Sequence, residues 1–264
     1  MKIAVLTAEE RLFMPVFFER FLRNSRHETV GIFKAPLRHG KQSTIDMLLK
    51  YYRTFGIWNT VGLSRREFLA RMLDMFPKGV RSGRFYSISS VAESFNVPCT
   101  IVEDVNSQGF HRYLKRSGAE IIISVTCPQI FRKELIDLLP KGCLNMHGAV
   151  LPNYRGLAPS FWMMKNGEKD AGVTVFFVND DLDAGDVIEC KRFPILEDES
   201  LEAFILRSKQ ISSDVLLRAL DRIEVGGYQT TALDVSQGSY YGFPVRQDYL
   251  EFRAKGRRLW GVAR

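Results

Sequence analysis

Two kinds of pattern alternate along most of the chain. Short apolar, β-branched runs fall at 2–7, 28–33, 97–102, 119–125 and 142–147. Between them, apolar positions recur at helical spacing over 9–24, 107–117 and 128–139. Two more strand-like runs, 172–179 and 186–194, precede a long helical pattern over 199–224 that carries Leu201, Phe204, Ile205, Ile211 and Val215. Gly226-Gly227 is its stop signal. Strand and helix in alternation predict an α/β protein, a mostly parallel twisted sheet flanked by helices.

Residues 35–90 interrupt this alternation with two further helical patterns, both amphipathic and basic. The first holds Ile45, Leu48, Leu49 and Tyr52. The second is expected to open at Ser64-Arg65-Arg66-Glu67, a capping-box signature, and to continue through Phe68, Leu69, Met72, Leu73 and Phe76. The domain reading is therefore one α/β domain over 1–225 containing a helical basic insertion over 35–90, followed by a short C-terminal extension over 226–264.

Composition, 45% apolar and 25% charged, is that of an ordinary globular protein. No apolar run approaches the ~18 residues that a membrane span needs, and the opening Met1–Thr7 run is too short for a signal peptide. A cytoplasmic protein is expected, with peripheral membrane attachment as the variant that the insertion suggests. The cysteines at 99, 127, 143 and 190 are scattered, and no histidine pair has metal spacing, so no metal is expected. Charge is concentrated rather than spread. Residues 34–84 hold eleven Lys or Arg against three Asp or Glu, a surplus that accounts for the whole net charge of +7. Phosphates, folate glutamates, nucleic acid and acidic membranes are the partners such a segment admits.

Neither a G-x-G-x-x-G turn nor a Walker A loop is present, which removes the main support for NAD or ATP binding. The dense stretch is Asn145-Met146-His147 followed by Leu151-Pro152-Asn153-Tyr154-Arg155-Gly156. Residues two apart on a strand share a face, so Asn145 and His147 point together. In a parallel sheet that places them at the carboxyl end of a strand, where α/β folds bind ligands. An amide beside an imidazole suits acyl transfer, because the pair can stabilise an oxyanion and move a proton. Asp183, in Leu182-Asp183-Ala184-Gly185-Asp186, offers a carboxylate to orient that imidazole. Taken alone an N-x-H is a weak signal, and Asp183 is also what a turn cap looks like.

The stretch 142–188 closely resembles the N10-formyltetrahydrofolate-dependent formyltransferases. It supplies their N-x-H, L-P, aromatic-R-G, N-G, G-V-T and L-D-x-G-D/P elements as Asn145/His147, Leu151-Pro152, Tyr154-Arg155-Gly156, Asn166-Gly167, Gly172-Val173-Thr174 and Leu182–Asp186. It departs at Gly148-Ala149-Val150, where the family usually has a serine after the histidine. The resemblance implies a Rossmann-like formyltransferase fold, a formyl-donating folate cosubstrate and the catalytic set Asn145, His147 and Asp183. It implies a folate pocket at Gln129, Ile130 and Phe131 and at Asn179, Asp180, Asp181 and Leu182.

The acceptor amine is read from what accompanies this core. Methionyl-tRNA enzymes have an RNA-contacting domain with no counterpart after Gly226. Sugar-amine formyltransferases combine the same core with short extensions and anionic substrates, so amino sugars rank first and tRNA second. Hydrolysis of the donor, or folate binding without catalysis, ranks below both. Lys34, Arg38 and Arg155 are the expected acceptor contacts, an anionic membrane is a second expected partner of the insertion, and homo-oligomerisation stays open.

Overall fold

A computed structural model describes residues 1–36, 44–76, 83–179 and 184–261. It opens with β1 (Lys2–Thr7), α1 (Met14–Asn24) and β2 (Glu28–Lys34). A helical pair follows, α2 (Thr44–Phe55) and α3 (Ile57–Asp74), and then α4 (Ile88–Ser94), β3 (Cys99–Ile101), α5 (Gln108–Arg116) and β4 (Ile121–Val125). The short α6 (Lys133–Ile136) leads to β5 (Cys143–His147), the two-residue β6 (Arg155–Gly156), α7 (Pro159–Asn166), β7 (Asp170–Phe177) and β8 (Val187–Pro194). The long α8 (Leu201–Val225), β9 (Tyr240–Tyr241) and α9 (Arg246–Ala254) complete the described elements.

The main sheet has the order β3-β2-β1-β4-β5-β7-β8. Its first five strands are parallel, β7 runs antiparallel to β5, and β8 runs antiparallel to β7. This is the mostly parallel, helix-flanked sheet that the pattern predicts. Every residue of β4 is buried, as expected where helices cover both faces. Alternate strand residues feed two cores. Ile3, Val5, Ile121, Ile123, Leu144 and Met146 pack under α1, α4 and α8. Ala4, Leu6, Ile122 and Cys143 face the other way, with Phe110, Leu114 and Leu135 from α5 and α6.

Element boundaries shift from the sequence reading for identifiable reasons. Helix 9–24 starts only at Met14, because the Glu10 carboxylate accepts the backbone N–H groups of Leu12, Phe13 and Met14 and caps it there. The pattern at 128–139 shrinks to Lys133–Ile136, since Gln129 and Asn106 hold 129–132 as a loop through side-chain hydrogen bonds. Ser64 is not a helix start. Gly56, at φ 83°, turns the chain sharply after α2, and α3 runs unbroken from Ile57 past Ser64. Residues beyond Gly226 fold back onto the catalytic core, with Phe252 fully buried and Leu201 N–H bonded to the Arg258 carbonyl.

Candidate active site

β5 lies between β4 and β7, with Asn145 opposite Ser124 on one side and Phe176 on the other. Asn145 is half-buried and His147 is 8% exposed. Both leave the face of β5 opposite Leu144 and Met146, so the expected pairing of amide and imidazole is present at the carboxyl edge.

The loop that follows holds the imidazole. His147 Nε2 is 2.7 Å from the Tyr154 carbonyl oxygen, a contact in which the nitrogen must donate. Tyr154 presents that carbonyl from a left-handed backbone conformation, φ 58°, which a bulky residue adopts only when its surroundings fix it. Here they do. Its N–H donates to Ser239 Oγ at 2.9 Å, its ring stacks on Tyr241 at 5.3 Å, and its hydroxyl donates to Glu168 at 2.6 Å. Burial and the Glu168 carboxylate push that phenol up to about 12, so it remains a donor. β6 then pairs with β9, which ties the loop to the C-terminal segment.

Thr174 supports the same loop from β7. Its buried hydroxyl donates to the Ala149 carbonyl at 2.7 Å and accepts the Leu151 N–H at 3.1 Å. The neighbouring Gly172 lets Val150 lie against β7, since a Cβ there would collide with Val150 Cγ2. Gly172-Val173-Thr174 is visible in the sequence as a motif, but the task of Thr174 is not. Ser239 and Tyr241 carry no signal there beyond the aromatic run Tyr240-Tyr241-Gly242-Phe243 beside them.

The other expected site residues divide. Arg155 adjoins the site, its N–H bonded to the Ser239 carbonyl and its Nε buried without a hydrogen-bond partner. Gln129 sits at the same sheet edge on the loop after β4, but its side chain is committed to the fold. It accepts from Val105 N–H and donates to the Pro36 and Glu103 carbonyls. Ile130 is exposed and Phe131 is partly buried beside the second core. Asn179 follows β7 and donates to the Ala184 carbonyl at 3.3 Å. Lys34 ends β2, three strands from β5, or ~14 Å at normal strand spacing. Its ammonium binds Glu9 at 2.6 Å and Ser89 at 2.7 Å. Arg38, Asp180, Asp181, Leu182 and Asp183 lie outside the described residues. Burial pushes the thiols of Cys143 and Cys127 up, the latter to about 11, so neither is a nucleophile at neutral pH.

A parallel sheet with hydrogen-bonding and acid–base groups gathered at the carboxyl edge defines the class, a Rossmann-like α/β domain. Residues 91–220 match the profile of the formyl transferases, so the chain carries a formyl transferase domain over that span. The methionyl-tRNA formyltransferase of Kosmotoga olearia is 29% identical over 179 residues, which is 67% of this chain and 57% of that protein. The chain thus spans about half the length of the curated relatives it matches. Two solved structures share the fold. Glycinamide ribonucleotide transformylase 1 from Symbiobacterium toebii is 16% identical with a TM-score of 0.58, over 89% of this chain and 94% of that one. A sugar N-formyltransferase from a Shewanella species is 17% identical with a TM-score of 0.56, over 97% and 87%.

Proposed function

We propose that the chain transfers the formyl group of N10-formyltetrahydrofolate to a primary amine, with an amino sugar as the acceptor. The observation that carries this is Asn145 and His147 side by side at the carboxyl edge of β5, inside the formyl transferase domain. The neutral amine attacks the formyl carbon, and the carbonyl electrons move onto oxygen. The Asn145 amide and the His147 imidazolium donate to that oxyanion; removing one such donor commonly costs ~2.7–4 kcal/mol. Collapse expels N10, which takes the proton that the amine loses. Asp183 favours the imidazolium, and the 129–131 loop and 179–182 contribute the folate contacts. Because the Gln129 side chain is engaged within the fold, the backbone of that loop and the exposed Ile130 are what the pterin meets.

Support for an anionic amino sugar comes from Arg155, a cation with a desolvated Nε next to the loop that holds His147. The wall beside it is built by Ser239 and Tyr241 of this chain. Methionyl-tRNA is the second reading, favoured by the sequence relatives. The test is tetrahydrofolate release from N10-formyltetrahydrofolate with nucleotide-linked 3-amino and 4-amino sugars, amino acids and methionyl-tRNA. An amino sugar should stimulate turnover well above the water background. Turnover with methionyl-tRNA alone reverses the ranking, and no turnover with any amine removes the reading.

A further inference from the structure

Thirteen of the twenty-three exposed large apolar side chains among the described residues lie between Ile45 and Phe76, on α2, α3 and the two residues after α3. They are not scattered. On α3, Trp58, Val61, Arg65, Phe68, Leu69 and Met72 recur at three- and four-residue spacing and so share one face, and every one of them is exposed. Trp58 is 83% exposed. The inward face carries polar contacts beside Leu63, Ala70 and Leu73: Arg66 binds Glu202 at 3.2 Å, Asp74 binds Arg11 at 3.1 Å, and Asn59 donates to Tyr249. Only Ala70 of α3 is buried. A helix held mainly by polar contacts, with an apolar stripe outward, is built to meet something apolar.

We infer that the outer face of the α2–α3 hairpin docks on an anionic lipid surface. Charge selects this occupant. The exposed ionisable side chains interleaved with the apolar ones are Lys50, Arg53, Arg65 and Arg71, against Asp46 alone. A second copy meeting the same face about a two-fold axis would set cation against cation, whereas the core of a protein interface is depleted of charge. A bilayer with acidic headgroups accepts both halves of the pattern, since apolar burial and lipid charge add. An exposed Trp flanked by aliphatic and basic residues matches the headgroup boundary. No helix among the described residues is long and apolar enough to cross a membrane, so the hairpin lies on the surface. Its root is firm. Phe55 packs on the rings of Phe161, Phe243 and Tyr249, and Thr54 donates to the Pro244 carbonyl. Phe161 belongs to α7, so the root of the hairpin packs on the helix that follows the β6 loop.

The experiment is co-sedimentation with phosphatidylcholine vesicles, with and without phosphatidylglycerol, at low and high salt. Wild type should sediment with the anionic vesicles only, less so at high salt, with a blue shift in emission that Trp58→Phe removes. The double variant R65E/R71E should weaken partitioning by at least about a hundredfold, and Trp58→Ser should weaken it with unchanged melting. Absence of binding to anionic vesicles, or binding indifferent to R65E/R71E, overturns the inference. So does a concentration-dependent dimer that Trp58→Ser dissolves, which would assign the face to a second copy. Each variant is melted alongside wild type. If R65E/R71E unfolds, the salt dependence and the Trp58 variants decide alone.

Discussion

α8 and α3 are the two longest helices described, 25 and 18 residues, and they bury opposite kinds of face. α8 turns Phe204, Val215, Leu216, Ala219 and Leu220 into the main core, and Arg218 and Arg222 pair with Glu189 at its surface. α3 turns Arg66, Asn59 and Asp74 inward to polar partners and leaves Phe68, Leu69 and Met72 outside with Arg65 and Arg71. The first arrangement is held by apolar area removed from water, a large and non-directional term. The second is held by a few partly exposed ion pairs, worth ~0–1 kcal/mol each. A helix placed this way is stabilised in full only when a partner covers its other side.

The largest effect should separate the two helices directly. Phe204→Ala, at a fully buried position, should cost ~3–5 kcal/mol in denaturant unfolding. Phe68→Ala, at a position 61% exposed, should stay within ~0.5 kcal/mol of wild type. Equal losses would mean that the hairpin face is already covered in solution, and the contrast would fail.

The candidate site shows a third arrangement, in which polar groups are buried and tied one to another. His147→Ala, Asn145→Ala and Asp183→Asn should each lower kcat by ~100-fold or more, with melting preserved. Full activity in any two of them removes the catalytic assignment. Thr174→Val should leave the Ala149 carbonyl and the Leu151 N–H without their buried partner, at ~1–3 kcal/mol in stability. It should also lower kcat by about tenfold through misplacement of His147. Thr174→Ser keeps the hydroxyl and should restore kcat. If Ser fails to rescue while stability recovers, Thr174 acts through its methyl and the positioning role is wrong.

Much of this organisation is legible in the residues, and what is not has physical causes. Ile121–Val125 reads as a strand because parallel strands buried on both faces show continuous apolar runs. Asn145 and His147 read as a pair because strand periodicity is two. The direction of α3 was hidden, since a stripe at helical spacing reveals an apolar face without saying what covers it. Its start was hidden too, because the turn at Gly56 depends on a left-handed φ and Ser64-x-x-Glu67 imitates a cap. The 129–132 loop displaced a helical pattern through two side chains, Gln129 and Asn106, whose partners are distant in sequence. The same holds for the tail, where Ser239 and Tyr241 find their task only when β9 meets β6.

The smallest effect concerns how the end of α8 meets the residues just before β2. His27, its side chain wholly buried, faces Asp221 and Glu224 of α8, with Arg26 and the Met1 amine beside them. Burial lowers its pKa below the ordinary value, against the pull of Glu224 and Asp221 and with help from the Met1 and Arg26 cations. The folded state therefore binds its proton less readily than the unfolded chain. Stability from this group is complete above the unfolded value of ~6.5 and is lost as pH falls below it, with a slope of at most ~1.4 kcal/mol per pH unit for one proton. Acid should thus loosen the α8 side, whereas salt should act first on α3, which has partly exposed ion pairs and almost no buried apolar face to hold it. His27→Gln, which cannot titrate, should flatten the fall in melting temperature between pH 7.5 and 5.5 without changing its salt dependence. Hydrogen exchange should locate the acid effect in α8 and the salt effect in α3. A wild-type melting temperature that rises on acidification, or a Gln variant with an undiminished slope, would show that His27 gains its proton on folding and that α8 is held there by charge after all.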